Sequence, residues 1–148
     1  MKIAYNEATK GMLANEGGPF GAVIVKDDKI ISKAHNEVLK SNDPTAHAEV
    51  SAIRKASKLL NTFDLSGCIL YTTCKPCPMC LGAIFWARIP TVYFGATEAD
   101  AAYGGFDDKR FYEMLESQNS DLVFKQIDHK ENAELFDLWL KKSDREMY

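Results

Sequence analysis

Phe20-Gly21-Ala22-Val23-Ile24-Val25-Lys26-Asp27-Asp28-Lys29-Ile30-Ile31-Ser32-Lys33-Ala34 decides the fold class. Phe20 to Lys26 is a compact apolar run of strand length, Asp27-Asp28 makes a turn, and Lys29 to Ala34 reads as the returning strand of a hairpin. Upstream, residues 2 to 15 carry a helical pattern with Ile3, Met12, Leu13 and several alanines, which Gly17-Gly18-Pro19 stops. Downstream, residues 44 to 60 form the clearest helix, with Asp43 as N-cap, Pro44 at the first helical position, and Val50, Ile53, Ala56 and Leu60 on its buried side. Strands are expected at Cys68 to Thr73, Thr91 to Ala96 and Leu122 to Ile127, and helices at 78 to 88, 109 to 117 and Glu131 to Lys142. Leu135, Leu138 and Trp139 form the apolar face of the last helix. A hairpin followed by strand–helix alternation implies an α/β fold, a three-layer α/β/α sandwich around a five-stranded mixed sheet.

The chain has 148 residues, the length of one domain spanning 1–148. Its net charge of −3 argues against a surface built mainly to hold nucleic-acid phosphates. The first residues, with Lys2, Glu7 and Lys10, lack the continuous apolar stretch of a secretory signal, and no stretch reaches the length of a membrane span. Three of the four cysteines fall within seven residues, a spacing that reads as metal binding rather than a disulfide framework. A cytoplasmic, reducing location follows as the default.

His47-Ala48-Glu49 and Pro76-Cys77-Pro78-Met79-Cys80 carry the chemistry. One imidazole and two thiols make three ligands of a tetrahedral zinc and leave the fourth position open, as in a catalytic site. If Pro78 is the first helical residue, Cys77 caps the helix and Cys80 sits in its first turn, where free N–H groups favour anionic sulfur. Glu49 follows His47 by two residues, nearly opposite on a regular helix, so both meet one site only if it lies across the helix end. Zinc in such a site lowers the pKa of its water to about 7. Glu49 is then free to carry protons.

Other readings stand beside this one. A structural site would use Cys74, Cys77, Cys80 and His47, leaving Glu49 without a purpose. A ferredoxin-type cluster needs a fourth cysteine shortly after Cys80, and position 84 is Ile84. Cys68 reads as a small buried apolar residue, and His35 and His129 have no partner spacing.

The pairing of H-x-E with P-C-x-x-C resembles the zinc-dependent nucleobase deaminases. The stretches 17–25, 41–49, 71–88 and 100–108 resemble the cytidine deaminase-like superfamily, and within it the bacterial guanine deaminases. The metal motif marks the superfamily; Gly105-Phe106-Asp107-Asp108 and the terminal Tyr148 point to guanine. The resemblance implies one zinc per subunit on His47, Cys77 and Cys80, and loss of the guanine amine to give xanthine and ammonia. Glu49 would shuttle protons and Asp108 would face the substrate amine. Asn36, Phe20 and Ala48 would contact the purine, with Trp86 a candidate for the pocket lining. It further implies a homodimer whose C-terminal segment, about 130–148, is exchanged so that Tyr148 closes the partner's pocket; a frayed terminus is the alternative. Residues 113 to 135 show no placeable motif.

Three competing functions remain. A tRNA adenosine deaminase needs phosphate contacts, whereas residues 131 to 148 set Glu131, Glu134, Asp137, Asp144 and Glu146 against Lys141, Lys142 and Arg145. A free base rather than a nucleic acid is therefore the expected substrate. A cytosine or nucleoside deaminase differs only in pocket shape. A non-catalytic zinc protein would not need Glu49.

Overall fold

The computed structural model describes residues 1–106, 108–117 and 125–144. Helix α1 (Lys2–Leu13) precedes the hairpin β1 (Gly21–Lys26) and β2 (Lys29–His35). Short helix α2 (Val38–Ser41), helix α3 (Ala48–Leu60), strand β3 (Ile69–Cys74), helix α4 (Pro78–Trp86) and strand β4 (Thr91–Ala96) follow. Helices α5 (Glu98–Tyr103), α6 (Asp108–Ser117) and α7 (His129–Lys141) complete the described elements.

The sheet order is β2-β1-β3-β4, with β1 antiparallel to both neighbours and β3 parallel to β4. Asp27 and Asp28 both adopt positive φ between the paired Lys26 and Lys29, so the hairpin closes with a two-residue turn of the kind that matches strand twist. The strand period of two sends alternate residues to opposite layers. Ala22, Ile24, Ala34 and Leu70 pack with Ala48, Ala52 and Ala56 of α3 and Ile84 of α4. Gly21 faces the other layer, where a Cβ would overlap the Ala4 carbonyl of α1. The fully buried Ile24, Leu65, Leu70 and Ile84 anchor the core, each contributing about 1.5–3 kcal/mol by burial.

Several expectations change. Among the described residues the mixed sheet has four strands, not five. Of the expected strand at 122 to 127, residues 122–124 lie outside the described residues, and 125–127 form no strand. The helix expected from 44 begins at Ala48. Asp43 instead holds a turn, its carboxylate accepting from the Thr45 N–H and hydroxyl at 2.8 and 2.7 Å, while its carbonyl accepts from the Ala46 N–H. The buried stripe of α3 rests on Ala48, Ala52 and Ala56, with Ile53 and Leu60 at its half-buried margin. Helices α2 and α5 were not foreseen; they are too short for a periodic signal, although Thr97 and Asp100 form a capping box on α5.

Candidate active site

His47 and Cys77 are the N-caps of α3 and α4, both in extended backbone (φ −67, ψ 157 and φ −66, ψ 168). Pro78 occupies the first turn of α4, as expected from its fixed φ. Because His47 precedes the helix rather than lying in it, its ring and the Glu49 side chain reach the same site. The two helix starts converge: His47 Nδ1 lies 3.6 Å from both Cys77 Sγ and Cys80 Sγ. Tetrahedral zinc, with Zn–S about 2.3 Å and Zn–N about 2.0–2.1 Å, sets sulfur and nitrogen about 3.6 Å apart. The donor set and its spacing therefore fit zinc, and His47, Cys77 and Cys80 are grouped with their ligand atoms within 4.8 Å of one another.

Cys74 stands outside that group. Its thiol donates to the Thr97 carbonyl at 3.5 Å, and burial pushes its pKa up to about 11. Its sulfur is turned to a backbone carbonyl in the pocket wall rather than to the cluster, which argues against a four-ligand structural site. Cys77 is held down to about 4, first by the Cys80 thiol hydrogen bond and, against burial, by His47. The neighbouring Cys77 in turn pushes Cys80 up. His47 is raised by its hydrogen bond with Cys77. Metal binding at such a cluster releases the remaining thiol proton.

Glu49 is buried, with Oε1 accepting from the Thr72 hydroxyl at 2.8 Å and Oε2 3.4 Å from Cys80 Sγ. Burial raises its pKa, against the hydrogen bonds it accepts. A pocket of about 360 Å³ opens over this cluster. Glu49, His47 and Cys77 line it beside Phe20, Asn36, Phe106 and Asp108. Asn36 is buried, and its Oδ1 accepts from the Gly18 and Val38 N–H groups at 3.3 and 3.2 Å. The oxygen is thereby spoken for, and the side chain offers its NH₂ donors. Asp108, the first residue of α6, is raised first by burial and then by the charge of Cys77. Phe20 and Phe106 meet edge to face with centroids 4.7 Å apart.

The expected site residues His47, Glu49, Cys77, Asn36, Phe20 and Asp108 come together here, with Cys80 directly beneath. Trp86 does not line this pocket: it lies at the far end of α4, in a separate depression with Phe63 and Ile53. It lies eight positions along the helix from Pro78, and a helix carries residues so spaced about 12 Å apart. Ala48 is fully buried in the core and is not part of the pocket lining. Tyr148 and Asp107 lie outside the described residues. Sequence reasoning missed Thr72 and Phe106. Thr72 could have been found as a polar residue on the core-facing parity of β3, two positions from Leu70. Phe106 sits within the Gly105-Phe106-Asp107-Asp108 stretch, of which only Asp108 was given a role.

The family described as the cytidine and deoxycytidylate deaminase zinc-binding region matches residues 1–96. The guanine deaminase of Bacillus subtilis (strain 168) is 48% identical over 150 residues, covering 100% of this chain and 96% of its own length. A tRNA-specific adenosine deaminase of Aquifex aeolicus (strain VF5) is 49% identical over 105 residues, covering 71% of this chain and 68% of its own. The X-ray structure of guanine deaminase from Bacillus subtilis superposes with a TM-score of 0.95 at 48% identity, covering 99% of this chain and 95% of that one. With the His47, Cys77 and Cys80 cluster at the centre of the matched region, the chain belongs to the cytidine and deoxycytidylate deaminase zinc-binding family.

Proposed function

We propose that this chain hydrolyses guanine to xanthine and ammonia at a zinc centre held by His47, Cys77 and Cys80, one per subunit. The observation that carries this reading is the likeness to a guanine deaminase along the whole chain, with a TM-score of 0.95. When bound, zinc would supply Lewis-acid activation of a water near neutral pH.

The remaining work falls to the side chains. Glu49, fixed by Thr72 on one oxygen, takes a proton from the attacking water and places it on N3 of the ring as the C2–O bond forms. It then carries the second water proton to the exocyclic nitrogen, the C2–N bond breaks, and ammonia leaves while C2=O is completed. Its raised pKa suits a group that must both take and give a proton. The NH₂ group of Asn36 donates to an acceptor of the purine. Asp108 accepts from the N–H groups that guanine presents. Phe20 and Phe106 flank the flat base.

The protein acts as a homodimer with its C-terminal segment, about 130–148, exchanged, and Tyr148 closing the partner's pocket. The exposed Leu135, Phe136 and Leu138 of α7 support this, since they offer apolar surface that a second subunit would cover. The cytoplasm is the proposed location, consistent with four free thiols. No helix among the described residues is long and apolar enough to cross a membrane.

The test is ammonia release from guanine, adenine, cytosine, guanosine, cytidine and an anticodon stem-loop, with zinc quantified in the same preparation. Guanine alone should be turned over. Inosine formation in the stem-loop without activity on guanine would make the chain a tRNA adenosine deaminase.

A further inference from the structure

His35 is buried, and its ring lies against α1, where a Cβ at Gly11 would overlap it. Its Nε2 lies 2.6 Å from Glu16 Oε2, while Nδ1 has Glu7 Oε2 at 3.6 Å. The sequence shows no spacing that links His35 to this partner, and the structure places it in the polar core. Glu16 immediately precedes Gly17-Gly18, and His35 immediately precedes Asn36. The two segments are tied again by the Glu16 carbonyl, which accepts from the Leu39 and Lys40 N–H groups at 3.0 Å each. Lys40 Nζ reaches back to Glu16 Oε1 at 3.1 Å. Between these ties sits the Asn36 carboxamide, its oxygen held by one N–H from each segment. Gly17 passes so close that a Cβ there would overlap that oxygen.

We infer that the Glu16–His35 pair is a positioning device for the purine-binding amide of Asn36. The pair clamps residues 16–18 to residues 35–38, so that Gly18 and Val38 both keep their N–H groups on Oδ1. That fixes the carboxamide orientation and aims its NH₂ group into the pocket. Glu16 touches no substrate; it acts through the wall it holds. A short hydrogen bond from an imidazole to a carboxylate suits this task, because it is strong and directional. The inference rests on the reading of Asn36 as a substrate contact, but the clamp itself does not.

The test uses Glu16→Ala, a change at a side chain outside the apolar core. Removing the clamp should raise KM for guanine about tenfold with kcat within about twofold, the pattern of lost binding rather than lost chemistry. In an Asn36→Ala background the same change should have no further effect, because the residue it positions is gone. Glu16→Gln, which keeps an acceptor for His35, should recover most of the affinity. On the same proteins, hydrogen exchange at the Gly18 and Val38 amides should quicken at least about tenfold in Glu16→Ala while Leu70 in β3 is unchanged. Full additivity with Asn36→Ala would overturn the proposed link to substrate. Unaltered exchange at Gly18 and Val38 would overturn the clamp whatever the substrate. If the unaltered protein released no ammonia from guanine, the functional reading would fail separately, and the exchange measurement would still decide the clamp.

Discussion

Thr72→Val removes one hydrogen-bond donor from the centre of the site and almost nothing else. Thr72 is fully buried in β3, and its hydroxyl donates to Glu49 Oε1 at 2.8 Å. Valine keeps the branched shape, so no cavity opens, and the metal cluster is untouched. What is lost is a hydrogen bond to a buried carboxylate, a class contributing about 1.5–3 kcal/mol. Besides its own backbone N–H, the carboxylate keeps only the Cys80 sulfur at 3.4 Å as a side-chain partner, a poor substitute and itself a metal ligand in the proposed mechanism. If that free energy is lost in the step where Glu49 moves protons, kcat falls by about 12- to 150-fold. KM should change little, because Thr72 is not part of the pocket lining. The assay is xanthine formation under saturating guanine, with zinc content and thermal unfolding measured on the same sample. Zinc should stay at the level of the unaltered protein. A Thr72→Val enzyme with kcat within about twofold of the unaltered one would refute the view that Thr72 orients Glu49.

Three further outcomes follow from the geometry. Cys80→Ser should abolish stoichiometric zinc, whereas Cys74→Ala should retain it, because Cys74 is bound to the Thr97 carbonyl; metal analysis of both variants checks this. Phe106→Ala should raise KM by about 2- to 12-fold, the equivalent of about 0.5–1.5 kcal/mol for an aromatic pair, with steady-state kinetics as the measurement. Asp64 is held below the ordinary Asp range by the Ser66 side chain and N–H and by Arg88. Its folded pKa is depressed, so the stability it lends is present above its unfolded pKa and lost as pH falls through the folded one. The stability gap between the unaltered protein and Asp64→Asn, followed by thermal melts, should close as pH drops below the ordinary Asp range.

The metal cluster was legible because its determinants are local. Cys77, Pro78 and Cys80 place themselves through proline's fixed φ and the first turn of α4. Only the exact start of α3 was misread: the Asp43 side chain captured Thr45 and held residues 43–46 as a turn, which moved the N-cap to His47. That shift is what lets His47 and Glu49 face one site. The hairpin and the strands β3 and β4 were likewise readable from apolar runs and turn residues, although their parallel pairing was not. The parts that were not legible depend on distant neighbours. Thr72 meets Glu49 across 23 positions of sequence, and Phe106 meets Phe20 across 86. Trp86 had an aromatic ring suited to a pocket, but the length of α4 carries it away from the cluster. His35 lacked any spacing to Glu16 that a motif would reveal, because β-hairpin and loop geometry bring them together.

The central claim is that Glu49 moves the protons at a zinc site built from His47, Cys77 and Cys80. Glu49→Gln tests it most directly, read as xanthine formed per zinc. The account predicts full zinc occupancy with turnover reduced by about 10²–10⁴-fold, the usual contribution of general acid–base catalysis. A zinc-loaded Glu49→Gln protein that produced xanthine at the unaltered rate would contradict it.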